Sequence, residues 1–473
     1  MVGRSTQQLQ IKKILKANRS AFVAITGRRR VGKTYLIEEA FSKSISFRVT
    51  GIQNGDIFTQ ISNFTQKIAE YSQIPIVTIP SNWQEAFLLL KSYLQRLSKT
   101  RKHVLFFDEL PWMNTHKSGF VQLFAHLWND YLSKEKHFVL VICGSATSWI
   151  VKNIENDKGG FHNRITHSIH LKPFTLSETK EFLLSKKVSI TDNAIAELYM
   201  VLGGIPFYLE QIERGESVSA AINRLCFAES GFLKNEYQNL YKALFDQPEN
   251  HEAIVKALAN AIGGLTRSEI IKDSKVTDGG PFTRAIEELI VCGFVTYESP
   301  YGKNKRGSVY RLADEFSLFY HRFMVKAKEK DNWMQLSTGQ KYKIWTGYAF
   351  ENLCYKHIAE IKSALGIEAV HTSLNTFRQA GDTNQKGFQI DLIIDRADKA
   401  TNLCECKYYS EPFKMDKTYA MHLLQRKSLF RAAVKTNKSL FTTMITNLPI
   451  MENAYVLEAV DVQLTVDKLM VKR

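Results

Sequence analysis

Eight residues limit what the rest of this chain can be: Gly27-Arg28-Arg29-Arg30-Val31-Gly32-Lys33-Thr34. They fit the pattern G-x-x-x-x-G-K-[ST], which has a function only where a buried strand turns into a helix. Phe22-Val23-Ala24-Ile25 before it is an apolar run of strand length, and Tyr35 to Phe41 after it has helical apolar spacing. In a strand–loop–helix of this kind the glycines let backbone N–H groups curl around a β-phosphate. The helix N-terminus adds partial positive charge. Lys33 then reaches the β- and γ-phosphates, and the Thr34 hydroxyl holds Mg²⁺. The sequence therefore predicts a nucleotide site.

A second pattern supports the first. Val104-Leu105-Phe106-Phe107-Asp108-Glu109 describes a buried parallel strand with two acids at its carboxyl end, where ligands bind in α/β sheets. Asp108 is expected to bind Mg²⁺ through water, and Glu109 to polarise an attacking water. Phe138 to Cys143 is another apolar run, ending in Gly144-Ser145. Ser145 either senses the γ-phosphate or simply ends the strand in a turn. Ile45 to Val49 reads as a strand, and helices are expected over 5–18, 56–72 and 82–99.

At 473 residues the chain exceeds one hydrophobic core, so roughly two to four domains are expected. Its net charge of +16 suits a polyanionic partner, above all nucleic acid, although a basic balance also serves solubility. No apolar run approaches a membrane span, and Met1-Val2-Gly3-Arg4 lacks a signal-peptide core. The six cysteines are scattered through apolar segments, as befits reduced thiols in a cytoplasm. Cys404-x-Cys406 is too closely spaced for a zinc knuckle.

With Cys143-Gly144-Ser145-Ala146, Asn163-Arg164-Ile165, Leu171-Lys172-Pro173-Phe174 and Leu202-Gly203-Gly204-Ile205-Pro206, these motifs resemble the archaeal-type ATPases of the AAA+/STAND group. The resemblance covers about residues 1–325. It implies an α/β fold: a P-loop NTPase parallel sheet over 1–174, a helical lid over 175–248 and a winged helix over 249–325. It also implies ATP as the nucleotide. Arg164 matches an arginine that contacts the γ-phosphate, either in cis or from a neighbouring copy in a homo-oligomer. Gly204-x-Pro206 matches a lid motif that packs near the adenine, and Pro206, with its fixed φ, suits the start of a helix.

The residues themselves support the winged helix. Helices expected at about 251–262, 266–273 and 281–292 precede two short alternating runs, Phe294–Tyr297 and Ser308–Arg311. The tip between them is basic, with Lys303, Lys305 and Arg306. In DNA-binding versions the third helix, here opened by Thr283 and Arg284, enters the major groove and the wing touches phosphate. In others of this ATPase group the module clamps proteins or parts of its own chain. Residues 326–340, charged and then polar, read as a connecting helix or linker.

The last part, 341–473, carries a different constellation. Lys341 to Ile361 has helical apolar spacing with Glu351 in its middle, and strands are expected at Ile367–His371, Phe388–Asp395 and Leu403–Tyr408. If the last two form a hairpin with its apex near Lys399, Asp391 faces Lys407, and Glu405 shares a face with Lys407. Two carboxylates and an ammonium would then meet, and carboxylates that close call for a cation such as Mg²⁺ or Mn²⁺. Such an ion lowers the pKa of bound water, while Lys407 positions or deprotonates the nucleophile.

Glu351…Asp391…Glu405-x-Lys407 resembles the PD-(D/E)xK nuclease superfamily, whose restriction-endonuclease-like α/β domain is found fused to these ATPases. Ile390 stands where the motif has proline, and Gln425 matches a helper residue of some members. The resemblance implies an ATPase coupled to metal-dependent cleavage of nucleic acid, most simply DNA. The alternative is a non-cutting ATPase switch, or a DNA-binding regulator, in which the C-terminal fold only binds.

Overall fold

The computed structural model describes residues 1–145, 147–155, 159–245, 247–261, 263–302, 307–328, 331–379 and 387–471, without the side chains of Thr147 and Asp391. Ala146 and Lys303, Lys305 and Arg306, the residues expected at the tip of a wing, lie outside them. The chain forms two compact units, residues 3–172 and 173–473.

The first unit is built on five parallel strands: β1 (Ala21–Thr26), β2 (Ile45–Thr50), β3 (His103–Asp108), β4 (Phe138–Cys143) and β5 (His167–His170). Their order is β2-β3-β4-β1-β5. Every residue of β1, β3 and β4 is buried, as continuous apolar runs in a parallel sheet require. On one face Phe22, Phe47 and Phe107 meet Phe64, Trp83, Phe120 and Phe124 from the helices Ile57–Ser72, Trp83–Leu94 and Phe120–Asp130. Side chains of this size contribute about 1.5–3 kcal/mol each when fully buried, so this aromatic layer fixes the sheet. The order puts β4 between β1 and β3. Consequently the ends of three different strands surround the loop that follows β1.

In the second unit a run of helices, the first Leu176–Ser185 and the last Glu236–Leu244, comes first. Helices Pro248–Asn260, Arg267–Ser274 and Gly280–Val291 follow, with a small antiparallel sheet. Its strands β6 (Leu265–Thr266), β7 (Val295–Glu298) and β8 (Val309–Leu312) lie in the order β6-β8-β7. A mixed sheet closes the chain: β9 (Thr372–Gln379), β10 (Phe388–Arg396), β11 (Ala400–Lys407), β12 (Ser439–Thr446) and β13 (Val462–Thr465), in the order β13-β12-β11-β10-β9. β11, β12 and β13 are parallel, and β9 and β10 antiparallel to their neighbours.

Three details differ from the sequence reading. Residues 367–371 are a turn, because Gly366 is left-handed (φ 68°) and Ile367 N–H reaches back to Lys362 O; the strand starts at Thr372. The helix expected over 341–361 breaks at His357 into Gln340–Lys356 and Ile358–Ala364. The His357 ring is buried there, accepting the Leu176 N–H at Nε2 (2.9 Å) and donating from Nδ1 to Leu353 O (2.8 Å). Burial pulls its pKa down to about 4, so the ring is neutral. The β10–β11 hairpin pairs Leu392 with Cys404 and Asp395 with Thr401. Lys399, at φ 62°, closes a three-residue loop of the kind that ends in a left-handed residue, which moves the apex to Asp398. Continued by one pair, this register sets Asp391 opposite Glu405 rather than Lys407.

Within 326–340, the segment expected to connect, Trp333 is fully buried. It stacks on Phe227 and meets Phe319, Phe323 and Trp345 edge-on, while its backbone N–H donates to Asn223 Oδ1 (2.9 Å).

Candidate functional site

The loop after β1 has the geometry its glycines predict. Gly27 (φ 138°), Arg30 (φ 69°) and Gly32 (φ 87°) all have positive φ, and Gly32 leads into the helix Lys33–Phe41. Arg28, Val31 and Lys33 are buried; Arg29, Arg30 and Thr34 are partly so. The Lys33 ammonium donates to Gly27 O (2.8 Å) and Arg28 O (3.0 Å), inside the curl of the loop.

Asp108 ends β3 and is buried. Thr34 Oγ1 donates to its Oδ2 at 3.3 Å, and the Cys143 thiol, from the end of β4, donates to its Oδ1 at 2.8 Å. Burial and then the Asp108 charge push the Cys143 thiol well up, so it keeps the proton it donates. A hydroxyl and a carboxylate in contact are the hard oxygen donors that Mg²⁺ prefers, so Thr34 and Asp108 fit that ion. The Arg48 guanidinium of β2 lies 3.7 Å from Asp108 Oδ2.

Glu109 follows in a left-handed conformation (φ 46°), which costs a non-glycine residue about 1–2 kcal/mol. Ser145 holds the turned carboxylate: its N–H (2.8 Å) and Oγ–H (2.9 Å) both donate to Glu109 Oε2. The β4 terminus therefore positions the acid that follows β3, and Ser145 does more than end a strand. Arg164 sits on an exposed turn before β5, its backbone N–H bonded to Phe161 O (2.9 Å).

In the second unit, Gly203 (φ 68°) and Gly204 (φ 66°) turn the chain so that Pro206 opens the short helix Pro206–Leu209. Phe174 N–H bonds Gly204 O (2.8 Å), and the Tyr199 hydroxyl bonds Phe174 O (2.9 Å).

The C-terminal constellation is partly assembled. Glu351, Glu405 and Lys407 line one cavity of about 420 Å³ together with Tyr348, Gln389 and Arg426. Glu405 is buried and engaged on both oxygens: Lys407 Nζ (3.0 Å) and the Tyr419 hydroxyl (3.1 Å) reach Oε1, and Arg426 reaches Oε2 (2.8 Å). Burial alone would raise its pKa, but the Lys407 and Arg426 charges win and hold it below the usual range. Glu351 meets a buried arginine, Arg311 of β8, at 3.2 Å, and Arg311 Nε lies 3.3 Å from Glu298. Asp391 is placed by register only. Among the described residues no three acidic, histidine or cysteine side chains form a cluster able to hold a metal ion.

Arg426 and Tyr419 were not legible as site residues. They stand seven residues, two turns, apart on the helix Lys417–Val434, and that spacing was the available signal. Gln425, the expected helper, is exposed.

Residues 2–212 match the family model described as an ATPase domain predominantly from Archaea. The chain carries an archaeal-type ATPase domain. Its phosphate loop, Asp108 and Glu109 all fall inside the match, which supports ATP as the nucleotide. The chain is similar to the uncharacterized protein MJECL04 of Methanocaldococcus jannaschii, 24% identical over 86% of this chain and 87% of that one. It is also similar to the uncharacterized ATP-binding protein MJ1659 of the same organism, 26% identical over 39% of this chain and 54% of the other. Among solved structures, the Walker-type ATPase PABY2304 of Pyrococcus abyssi aligns with a TM-score of 0.50 at 17% identity, covering 68% of this chain and 96% of that one. That likeness is one of fold. No helix among the described residues is long and apolar enough to cross a membrane.

Proposed function

We propose that this protein is an ATP-hydrolysing switch coupled to a C-terminal site for the nucleic-acid backbone, and that this site cuts DNA. Glu109 is the residue that orients the attacking water, Ser145 its positioning residue and Arg164 the γ-phosphate contact, in cis or across a homo-oligomer. Thr34 and Asp108 would hold Mg²⁺, which supplies charge neutralisation for the β- and γ-phosphates. The segment 249–325 acts as a winged helix. Its docking on the C-terminal sheet favours a clamp within the chain: Tyr301 N–H bonds Thr376 O (2.9 Å) and its hydroxyl bonds Asp395 (3.1 Å).

One observation carries the cleavage reading. Glu351 and the Glu405–Lys407 pair, more than fifty residues apart, open onto one cavity. Asp391, opposite Glu405, would complete the pair of carboxylates for Mg²⁺ or Mn²⁺, which supplies an acidified water and stabilises the leaving oxygen. Lys407 orients the nucleophile, and Arg426 grips phosphate. Cleavage of DNA and RNA panels, with and without ATP and Mn²⁺, tests this. Wild type should cut, and Asp391→Ala and Lys407→Ala should lose at least a hundredfold. Equal cleavage by all three removes the assignment.

The second reading is a switch that only binds. It is favoured by the Lys407 ammonium and Arg426 guanidinium, which already neutralise Glu405. DNA binding without cleavage by wild type selects it.

A further inference from the structure

We propose that Arg48 is the resident counter-ion of the metal seat: a positioning residue that neutralises Asp108 until a divalent ion displaces it. The inference rests on the assignment of Thr34 and Asp108 as that seat.

Arg48 lies on β2 opposite Phe106 of β3, two residues short of Asp108. Its side chain passes over the Phe106 ring, with the guanidinium carbon 5.4 Å from the centroid. One nitrogen reaches within 3.7 Å of Asp108 Oδ2, and another pairs with Glu38 on the helix that follows the phosphate loop. The guanidinium thus bridges the helix carrying Lys33 and Thr34 to the strand carrying Asp108. The groups that hydrogen-bond the Asp108 carboxylate are neutral: the Thr34 hydroxyl, the Cys143 thiol and the Glu109 N–H. A carboxylate this deeply buried needs a positive charge nearby, and Arg48 provides it.

A divalent ion on Asp108 and a guanidinium 3.7 Å away would repel each other, so the arginine must retreat as the metal enters. It has somewhere to go. Arg48 lines a cavity of about 410 Å³ with Thr50, Asn63, Lys67, Glu70 and Tyr71, and the Glu70 carboxylate there offers a second acceptor. Without metal, the same guanidinium offsets the repulsion between Asp108 and a triphosphate. Arg48 therefore sets how strongly nucleotide binding depends on Mg²⁺.

The test measures binding of a fluorescent ATP analogue to full-length protein, in EDTA and across a Mg²⁺ titration. In Arg48→Met the ratio of Kd in EDTA to Kd in Mg²⁺ should rise about tenfold, the size expected for a partly exposed charge pair, and half-saturating Mg²⁺ should fall. Arg48→Lys, which keeps the charge, should stay close to wild type. Glu38→Gln leaves the guanidinium to Asp108 alone, so half-saturating Mg²⁺ should rise instead. A ratio within twofold of wild type in Arg48→Met overturns the proposal, as does equal weakening with and without metal, the mark of a residue that only braces β2. A wild type indifferent to Mg²⁺ overturns the metal seat and the proposal together. A wild type that responds, beside an Arg48→Met that responds identically, overturns the proposal alone.

Discussion

Replacing Arg311 by methionine tests how the small sheet is tied to the helix bearing Glu351. Methionine keeps an unbranched apolar stem but removes the charge that Glu298 and Glu351 face at 3.3 and 3.2 Å. Arg311 and Glu298 are both buried, at 5% and 8% exposure, so water cannot take over. Stranding a buried partner costs about 3–5 kcal/mol, against at most about 1 kcal/mol for an exposed pair. The loss also has a direction in pH. Burial already raises the Glu298 pKa in the wild type, and Arg311 restrains that rise. Without Arg311 the folded-state pKa climbs further above the unfolded value. The penalty therefore deepens as pH rises above the already raised wild-type pKa of Glu298 and shrinks on acidification, by up to about 1.4 kcal/mol per unit of further shift. Hydrogen exchange read by mass spectrometry on peptides spanning 295–312 and 340–356 isolates these elements from the ATPase unit. At pH 7.5 protection there should fall more than a hundredfold, less at pH 5.5, with partial recovery when Glu298→Gln is added. Protection within threefold of wild type, or a penalty that grows on acidification, would refute the reasoning.

Other outcomes follow from the same geometry. Lys33→Ala should abolish binding of an ATP analogue, whereas Glu109→Gln should bind it normally and turn over at least a hundredfold more slowly in a phosphate-release assay. Because the His357 pKa is depressed to about 4 when folded, against about 6.5 unfolded, its contribution is present above pH 6.5 and lost as pH falls towards 4. A shift of that size corresponds to about 3 kcal/mol at the acid end. Replacing His357 should flatten the fall in melting temperature over that range, as read by calorimetry.

What the sequence disclosed divides by physical cause. The phosphate loop and the β3 acids were legible because their chemistry needs contiguous residues on a strand–turn–helix, and the apolar runs of β1, β3 and β4 are unambiguous when both sheet faces are covered. The role of Ser145 was half visible: its position at a strand end could be read, but its double bond to Glu109 depends on β4 lying beside β3. Asp391 was set opposite the wrong residue because a hairpin register depends on loop type, and the left-handed Lys399 carries no strong sequence signal. Arg426 escaped because a cation at a carboxylate site is indistinguishable, in one sequence, from one on a solvated helix face. The burial of Trp333 was hidden by its charged neighbours, which look like spacer.

That tryptophan changes what kind of machine this can be. A loose tether would let the C-terminal sheet sample its surroundings independently of the helices before it. An indole wedged among Phe227, Phe319, Phe323 and Trp345 instead works like a rivet: it pins this segment to the helices on either side of it, and lengthening the chain at 331–340 would break the linkage rather than extend it.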